Sequence, residues 1–350
     1  VRITRRAFVP TAAAVLLTVT AMGAQATAAT PAAPAAVTPA PAAVTAKAAP
    51  APVAGATSAA TADDATMAAA AAYWTPERMR NAIPLDSAPQ AAAPAAREAA
   101  AAERPVAGSP FTVEPVEATV ADSGRPERDT MASIPSSKAA GKVFFRNPKD
   151  GRNYVCSASA LNSRSKQLVT TAGHCVHGGR GGRWMTHWVY APRYANGRAP
   201  YGVFPAKSWR TFTAWITSSS FARDVAMVTT AKVNGRKLVN VTGGHGISVN
   251  YDHTQNVYVL GYPSNKYRGE VQMWCHGNTR RETGSNRLAI RCTFGPGASG
   301  GPWLRKYNTR TGLGYVNNVM STWNPNTGWN QAAYFDTAVL NLYKAQANVT

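Results

Sequence analysis

Aromatic residues are few in the first third of this 350-residue chain, where Ala, Pro, Thr and Val dominate up to about Ser133. A stretch so poor in large apolar side chains cannot bury enough surface to offset the entropy of ordering. The Ala/Pro/Val/Thr run from Thr30 to Ala56 is therefore expected to stay extended. Long hydrophobic runs are missing too. Ala12 to Ala21 is apolar but too short to span a bilayer comfortably, and no other stretch reads as a transmembrane helix. Acids are scarce: 17 Asp and Glu stand against 37 Lys and Arg, for a formal net charge of +20. Cysteines number only four, and all lie in the C-terminal region. No repeat period stands out, which argues against a solenoid or an array.

What is present at the N-terminus has the form of an export signal. Arg2, Arg5 and Arg6 make a positive start, the apolar run follows, and Ala24-Gln25-Ala26 and Ala26-Thr27-Ala28 are both suitable cleavage sites. Residues 1–28 are thus expected to be a signal peptide, through either the general or the twin-arginine route. Charge then divides the remainder. Between the signal and Lys138 the acids Asp63, Asp64, Glu77, Asp86, Glu98, Glu103, Glu114, Glu117, Asp122, Glu127 and Asp129 outnumber the bases. Beyond Lys138 the only acids are Asp150, Asp224, Asp252, Glu270, Glu282 and Asp336. The expected organisation is a largely disordered Ala/Pro-rich propeptide over 29–137 and one basic folded domain over 138–350. The acidic stretch either attracts the basic domain in cis before processing or simply keeps the precursor soluble. Within the propeptide, short helices are expected around Pro76–Ala82 and Ala92–Ala102, with Trp74 and Met79 as side chains able to dock.

After Lys138, short strand-like runs alternate with Gly, Asn and Pro turns, the pattern of an all-β sandwich or barrel. The runs are Lys142–Arg146, Tyr154–Leu161, Gln167–Thr171, Trp184–Ala191, Ser208–Trp215, Val225–Val228, Val257–Leu260, Val271–Cys275, Leu288–Thr293, Trp303–Leu304 and Tyr315–Thr322. One helix is expected, Thr337–Gln346, capped by Asp336 and apolar on the face of Val339, Leu342 and Tyr343. Four cysteines allow three pairings. Cys156 and Cys175 flank one expected strand pair, and Cys275 and Cys292 bracket a strand, turn and strand, which favours Cys156–Cys175 and Cys275–Cys292. A zinc site at Cys156, His174, Cys175 and His177 fits no common finger spacing, and an oxidising compartment favours disulfides. No metal or other cofactor is expected.

Three segments carry chemistry. Gly295-Pro296-Gly297-Ala298-Ser299-Gly300-Gly301-Pro302 sets a serine among glycines, as a tight turn with outward backbone N–H groups requires. Leu168-Val169-Thr170-Thr171-Ala172-Gly173-His174-Cys175 is a strand-like run whose end presents a histidine suited to general-base work. Phe221-Ala222-Arg223-Asp224-Val225-Ala226-Met227-Val228 puts an aspartate at the mouth of an apolar run, where a carboxylate must find a partner. The order His174, Asp224, Ser299 is the one found in chymotrypsin.

On these motifs the chain resembles the chymotrypsin-like serine peptidases, and within them the bacterial secreted branch that includes the glutamyl endopeptidases. The resemblance spans roughly Ala140 to Ala347. It implies two antiparallel β-barrels followed by a short C-terminal helix, a catalytic set of His174, Asp224 and Ser299, and an oxyanion hole from the N–H groups of Gly297 and Ser299. It also implies a bridge beside the catalytic histidine, which Cys156–Cys175 supplies. The specificity pocket falls on Thr293, Phe294, Met320, Ser321, Thr322 and Trp323, where neither a carboxylate nor a histidine stands. Ala298 occupies the position where trypsin relatives carry an aspartate for their activating ion pair, so that route is closed.

The activity implied is a secreted serine endopeptidase acting on proteins or peptides as a monomer, with no specific nucleic-acid partner and no membrane attachment after signal cleavage. The alternative is a non-enzymatic basic protein that binds polyanions or the cell envelope on the same scaffold. An α/β-hydrolase esterase would need the order Ser, Asp, His and a strand–turn–helix at the serine, neither of which is seen.

Overall fold

The computed structural model describes residues 55–85, 104–120 and 136–350. The expected signal peptide, most of the low-complexity run and the helix expected over Ala92–Ala102 lie outside the described residues. In chain order the elements are β1 (Thr57–Thr61), α1 (Asp64–Tyr73), α2 (Pro76–Arg80), β2 (Ile83–Pro84), β3 (Phe111–Val113), β4 (Ala140–Arg146), β5 (Asn153–Leu161), β6 (Leu168–Thr171), β7 (Thr186–Pro192), β8 (Phe204–Phe212) and β9 (Ala226–Thr230). There follow β10 (Gly246–Val249), β11 (Asn256–Gly261), β12 (Met273–Asn278), β13 (Arg280–Arg281), β14 (Leu288–Arg291), β15 (Pro302–Asn308), β16 (Leu313–Asn324), β17 (Trp329–Ala332) and a C-terminal helix, Thr337–Ala347.

Strands β8, β7, β4, β5, β6 and β9 pair in that order, and β9 pairs back to β8, closing a six-stranded antiparallel barrel. Period-two alternation fills it. Tyr154, Cys156, Ala158 and Ala160 of β5 point into the barrel core with Val143 and Phe145 of β4, while Val155 and Phe144 belong to a separate cluster on the outer face. The second sheet runs β12, β11, β15, β16, β17, β14, β13 and curls into a half-barrel around Val257, Val259, Ile290, Phe294, Trp303 and Met320. Cys275 of β12 is joined across the curl to Cys292, just after β14, by a disulfide spanning 17 residues. The chymotrypsin-type arrangement is thus present with its second sheet curled and covalently tied. Between the two sheets, Leu161, Leu168, Phe212 and Met227 of the barrel meet Leu260, Leu304, Val316 and Val319, under a helix face of Val339 and Leu342. Asp336 caps that helix by accepting from the N–H groups of Ala338 and Val339.

Three departures from the sequence expectations follow. The strand expected over Ser208–Trp215 ends at Phe212, and Thr213–Ser218 forms a short helix. That turn of helix carries Trp215 inward, where its indole N–H donates to His177 O at 2.8 Å. Strands β10 and β17 were not anticipated. They take their places through pairing with β16, β10 in parallel and β17 antiparallel, more than through their own alternation. The largest departure is in the segment expected to be a propeptide, where composition predicts disorder. Over 55–85 and 104–120 the chain is instead built onto the domain. β1 pairs with β8, β2 with β5 and β3 with β10. The helix expected around Pro76–Ala82 is α2, capped by Thr75, whose hydroxyl accepts from Arg78 N–H.

Candidate active site

His174 sits in a one-turn 3-10 helix, Gly173–Cys175, directly after β6. Two bonds hold that turn. Cys175 is joined to Cys156 of β5, and Trp188 Nε1–H donates to Cys175 O at 3.0 Å. Asp224 follows the turn Phe221–Arg223 and precedes β9, which pairs with β6, so strand register alone brings the two side chains together. The carboxylate accepts the His174 backbone N–H at Oδ1 (2.8 Å), and the imidazole Nδ1 lies 2.8 Å from Oδ2. Ser321 Oγ–H donates to the same Oδ2 at 2.6 Å. Burial raises the Asp224 pKa, but the charge and ring contact of His174, together with the hydrogen bonds from Ser321 and the His174 N–H, outweigh it. The carboxyl therefore lies below its ordinary value. Its sequence neighbour Arg223 turns the other way, to Asp336 at 2.9 Å.

Ser299 belongs to the other sheet, in the loop between β14 and β15. Its carbonyl accepts from Ser157 N–H of β5 at 2.7 Å, and its Oγ–H donates to Ser321 O at 3.3 Å. Ser321 therefore touches both Ser299 and Asp224. Gly300 makes this approach feasible. At φ +81° it has no side chain, and a Cβ there would stand 2.1 Å from Thr171 Oγ1 and 2.2 Å from Ser157 O. The peptides around the serine are also oriented. Pro296 O accepts from Ser264 N–H and Ala298 O from Gly301 N–H. In a trans peptide the N–H points opposite to the C=O, so the Gly297 and Ser299 N–H groups have fixed directions. Ser157 Oγ–H donates to Gly297 O at 2.8 Å and secures the next peptide as well.

Around the positions expected for the pocket, two asparagines build the wall. Asn330 accepts from Phe294 N–H and donates to Phe294 O, and Asn265 donates to Thr293 O and accepts from Gly295 N–H. Thr293 is at φ +56° and exposed, Phe294 and Met320 are buried, and Thr322 and Trp323 are half-buried. One group here escaped the sequence reading. Arg287, 7% exposed, donates from Nη2 to Thr322 Oγ1 at 2.5 Å and lies 3.5 Å from Glu282. Asn330, Asn265 and Arg287 carry no motif, and only the fold gives them a place. The ligating atoms of Cys156, His174 and Cys175 cluster within 4.8 Å. Both sulfurs are consumed by the disulfide, which leaves a single imidazole and no donor set for zinc.

The sequence over residues 155–313 matches the trypsin-like peptidase domain. The protease Anisep from Arthrobacter nicotinovorans is 32% identical, with 61% of this chain and 98% of that one aligned and a TM-score of 0.57. The chain belongs to the trypsin-like peptidase family. The thermostable serine protease AL20 from an extremophilic microorganism is 29% identical over 61% of this chain and 99% of its own, also with a TM-score of 0.57. A Glu endopeptidase shares the fold at 17% identity and a TM-score of 0.50, covering 65% of this chain and 98% of that one. Among curated proteins, none matches. The candidate residues lie where the two sheets meet, His174 and Asp224 adjoining strands of one and Ser299 in a loop of the other.

Proposed function

We propose that this chain is the precursor of an exported serine endopeptidase whose catalytic residues are His174, Asp224 and Ser299. The observation that carries the reading is the pair of 2.8 Å contacts between His174 and Asp224, with Ser321 bridging that carboxylate to Ser299. Asp224 holds the imidazole with its proton on Nδ1, so Nε2 is the basic nitrogen. Ser299 Oγ attacks the scissile carbonyl carbon as its proton passes to Nε2. The carbonyl oxygen becomes an oxyanion held by the N–H groups of Gly297 and Ser299, where one donor is worth ~3 kcal/mol. Collapse breaks the C–N bond, and the departing amine takes the proton from His174. The acyl-ester on Ser299 is then hydrolysed by a water that gives its own proton to Nε2, which restores the serine.

Export is supported by the signal-like N-terminus and by two disulfides, which persist in oxidising compartments. Removal of the segment before the domain is supported by length. About 61% of the chain aligns with 98–99% of the protease structures, so a large share of the chain lies outside what those proteases keep. The acidic stretch acts in cis until it is removed. Thr293, Phe294 and Met320 to Trp323 form the pocket, and it takes an uncharged side chain.

Secreted protein treated with a fluorophosphonate probe tests the assignment. Labelling is expected on Ser299 and lost in Ser299→Ala, with casein hydrolysis falling to background. Casein hydrolysis by Ser299→Ala at the parental rate overturns it.

A further inference from the structure

The outer face of β4, β5 and β7 is apolar at Phe144, Val155, Val189 and Ala191, and Ala70, Trp74 and Met79 of the N-terminal segment cover it. Trp74 lies 5.4 Å from the Phe144 ring, and its indole N–H donates to His187 O at 2.6 Å. Upstream, β1 adds a five-residue ladder to the edge of β8, Thr57 opposite Phe212 through Thr61 opposite Ser208. These anchors fix where the next residues can go. Ile83 and Pro84 pair in parallel with Tyr154 and Val155 of β5. Pro84 Cβ and Cγ stand 3.5 and 3.9 Å from the point a Cβ on Gly297 would occupy. Leu85 is buried in the cluster that holds Cys156 and Cys175. The segment Ile83–Leu85 therefore runs beside the turn proposed to hold the oxyanion.

Two strands flank Ser299. On one side is β16, whose Ser321 O accepts from Ser299 Oγ and whose Met320–Trp323 stretch lines the proposed pocket for the acyl half of a substrate. On the other is β5, whose Ser157 N–H donates to Ser299 O. A peptide with its acyl half against β16 must continue across Ser299 toward β5. Its leaving-group residues then need the edge of Tyr154 and Val155, which Ile83 and Pro84 already hold.

Resting on the serine-peptidase reading, we infer that Ile83–Leu85 occupies the leaving-group half of the substrate cleft, so that the uncleaved chain is selectively blocked against peptides extending past the scissile bond. The block differs from a bound substrate in two respects. The strand runs parallel to β5, and it turns a proline ring, not a carbonyl, toward Gly297. A segment so placed fills the subsite without offering a bond to cut. Among the described residues, no strand of the N-terminal segment pairs with Met320–Trp323, which leaves the acyl half for compact reagents. The same edge, once vacated, suits an extended apolar leaving-group sequence of the Ile-Pro-Leu type.

The test uses full-length chain, confirmed uncleaved by intact mass, with three probes. These are a fluorophosphonate, a peptidyl chromogenic amide with residues only before the scissile bond, and an internally quenched peptide extending three residues beyond it. The full chain is expected to react with the first two while cleaving the quenched peptide at least tenfold more slowly relative to the amide. Replacing Ile83, Pro84 and Leu85 together by glycine, or Leu85→Asp alone, should restore that ratio at least tenfold with the fluorophosphonate rate unchanged. An equal ratio in the parent and both variants overturns the inference while leaving the catalytic assignment intact. No fluorophosphonate labelling in any of them overturns the assignment, and the inference with it.

Discussion

Asp224 accepts from His174 twice, through the backbone N–H at Oδ1 and the ring at Oδ2, each at 2.8 Å. The double contact fixes both the position of the turn and the tautomer of the ring. In Asp224→Asn one acceptor becomes an NH₂ donor, and the ring can keep its place only by presenting the wrong nitrogen. We expect kcat to fall about 10⁴-fold at neutral pH with the fold retained. Steady-state kinetics alongside circular dichroism read this out. A loss below tenfold would show that the carboxylate does not set the tautomer.

Gly300→Ala should be among the most damaging single-methyl changes in the chain. The added carbon would meet Thr171 Oγ1 and Ser157 O at 2.1 and 2.2 Å, at a φ of +81° that L-residues rarely adopt. Overpacking and backbone strain together should cost about 3 kcal/mol or more. The urea midpoint of the variant, or its failure to accumulate, decides the matter.

Cleavage preference should hinge on Arg287 and Glu282. The guanidinium touches Thr322 beside the proposed pocket, yet Glu282 at 3.5 Å offsets its charge. The parent should therefore favour uncharged side chains before the scissile bond. In Glu282→Gln this one opposing charge is removed, and hydrolysis of peptides with acidic residues in the acyl half should rise roughly 5–10-fold, the effect of about 1 kcal/mol. A positional-scanning library compares the two proteins, and unchanged profiles would count against this role.

Acid stability should reflect His245. It accepts the Gly314 N–H at Nδ1 (3.3 Å) and is fully buried, and burial pushes its pKa down to about 3. The unfolded chain takes up its proton near 6.5, so the contribution is complete above that pH and is lost as pH falls toward 3. Between pH 7 and pH 4 the loss should be on the order of 3 kcal/mol. Lys142 acts in a second window. Burial lowers its pKa to about 8 despite Glu270, so its contribution grows as pH rises from about 8 toward 10.5. Urea titrations across pH, repeated with His245→Gln and Lys142→Met, should show each slope flatten in its own window.

Maturation should stop short of Ser136. Ser137 N–H donates to Gln272 Oε1, Gln272 Nε2–H donates to Ser137 O and Ala140 O, and Tyr307 O–H donates to Ser136 O. A cut beyond this clasp would discard bonds that tie the start of β4 to the half-barrel. Intact-mass analysis should find the active N-terminus between residues 121 and 135, and an active species beginning at Ala139 or later would contradict it.

Much of the domain was legible because its strands alternate. Tyr154–Leu161 and Lys142–Arg146 show the period that fills a barrel, and Asp336 before an apolar helical face marks the last helix. The candidate residues His174, Asp224 and Ser299 stand out in the sequence because each lies at the end of an apolar run or within a glycine turn. Residues that work through tertiary contact left no such trace. Arg287, Asn265 and Asn330 are ordinary turn and strand residues until the sheet curls. The N-terminal segment misled for a related reason. Its alanines predict no core of their own, and its order comes from Trp74 and Met79 resting on an apolar surface supplied by other strands.

The covalent tie at Cys275–Cys292 gives the molecule a hierarchy of opening. The six-stranded barrel closes on itself where β9 pairs back to β8, so His174 and Asp224 ride on a ring of paired strands. The half-barrel that carries Ser299 keeps two end strands, β12 and β13, which run into each other through Thr279 and are reinforced by that bridge. Amide protons on β12 and β14 should exchange with solvent sooner than those on β5 and β6. A reductant or a destabilising change that loosens the bridge would then act first on the serine and its pocket wall, silencing the site by parting its two halves while the histidine and aspartate remain in register.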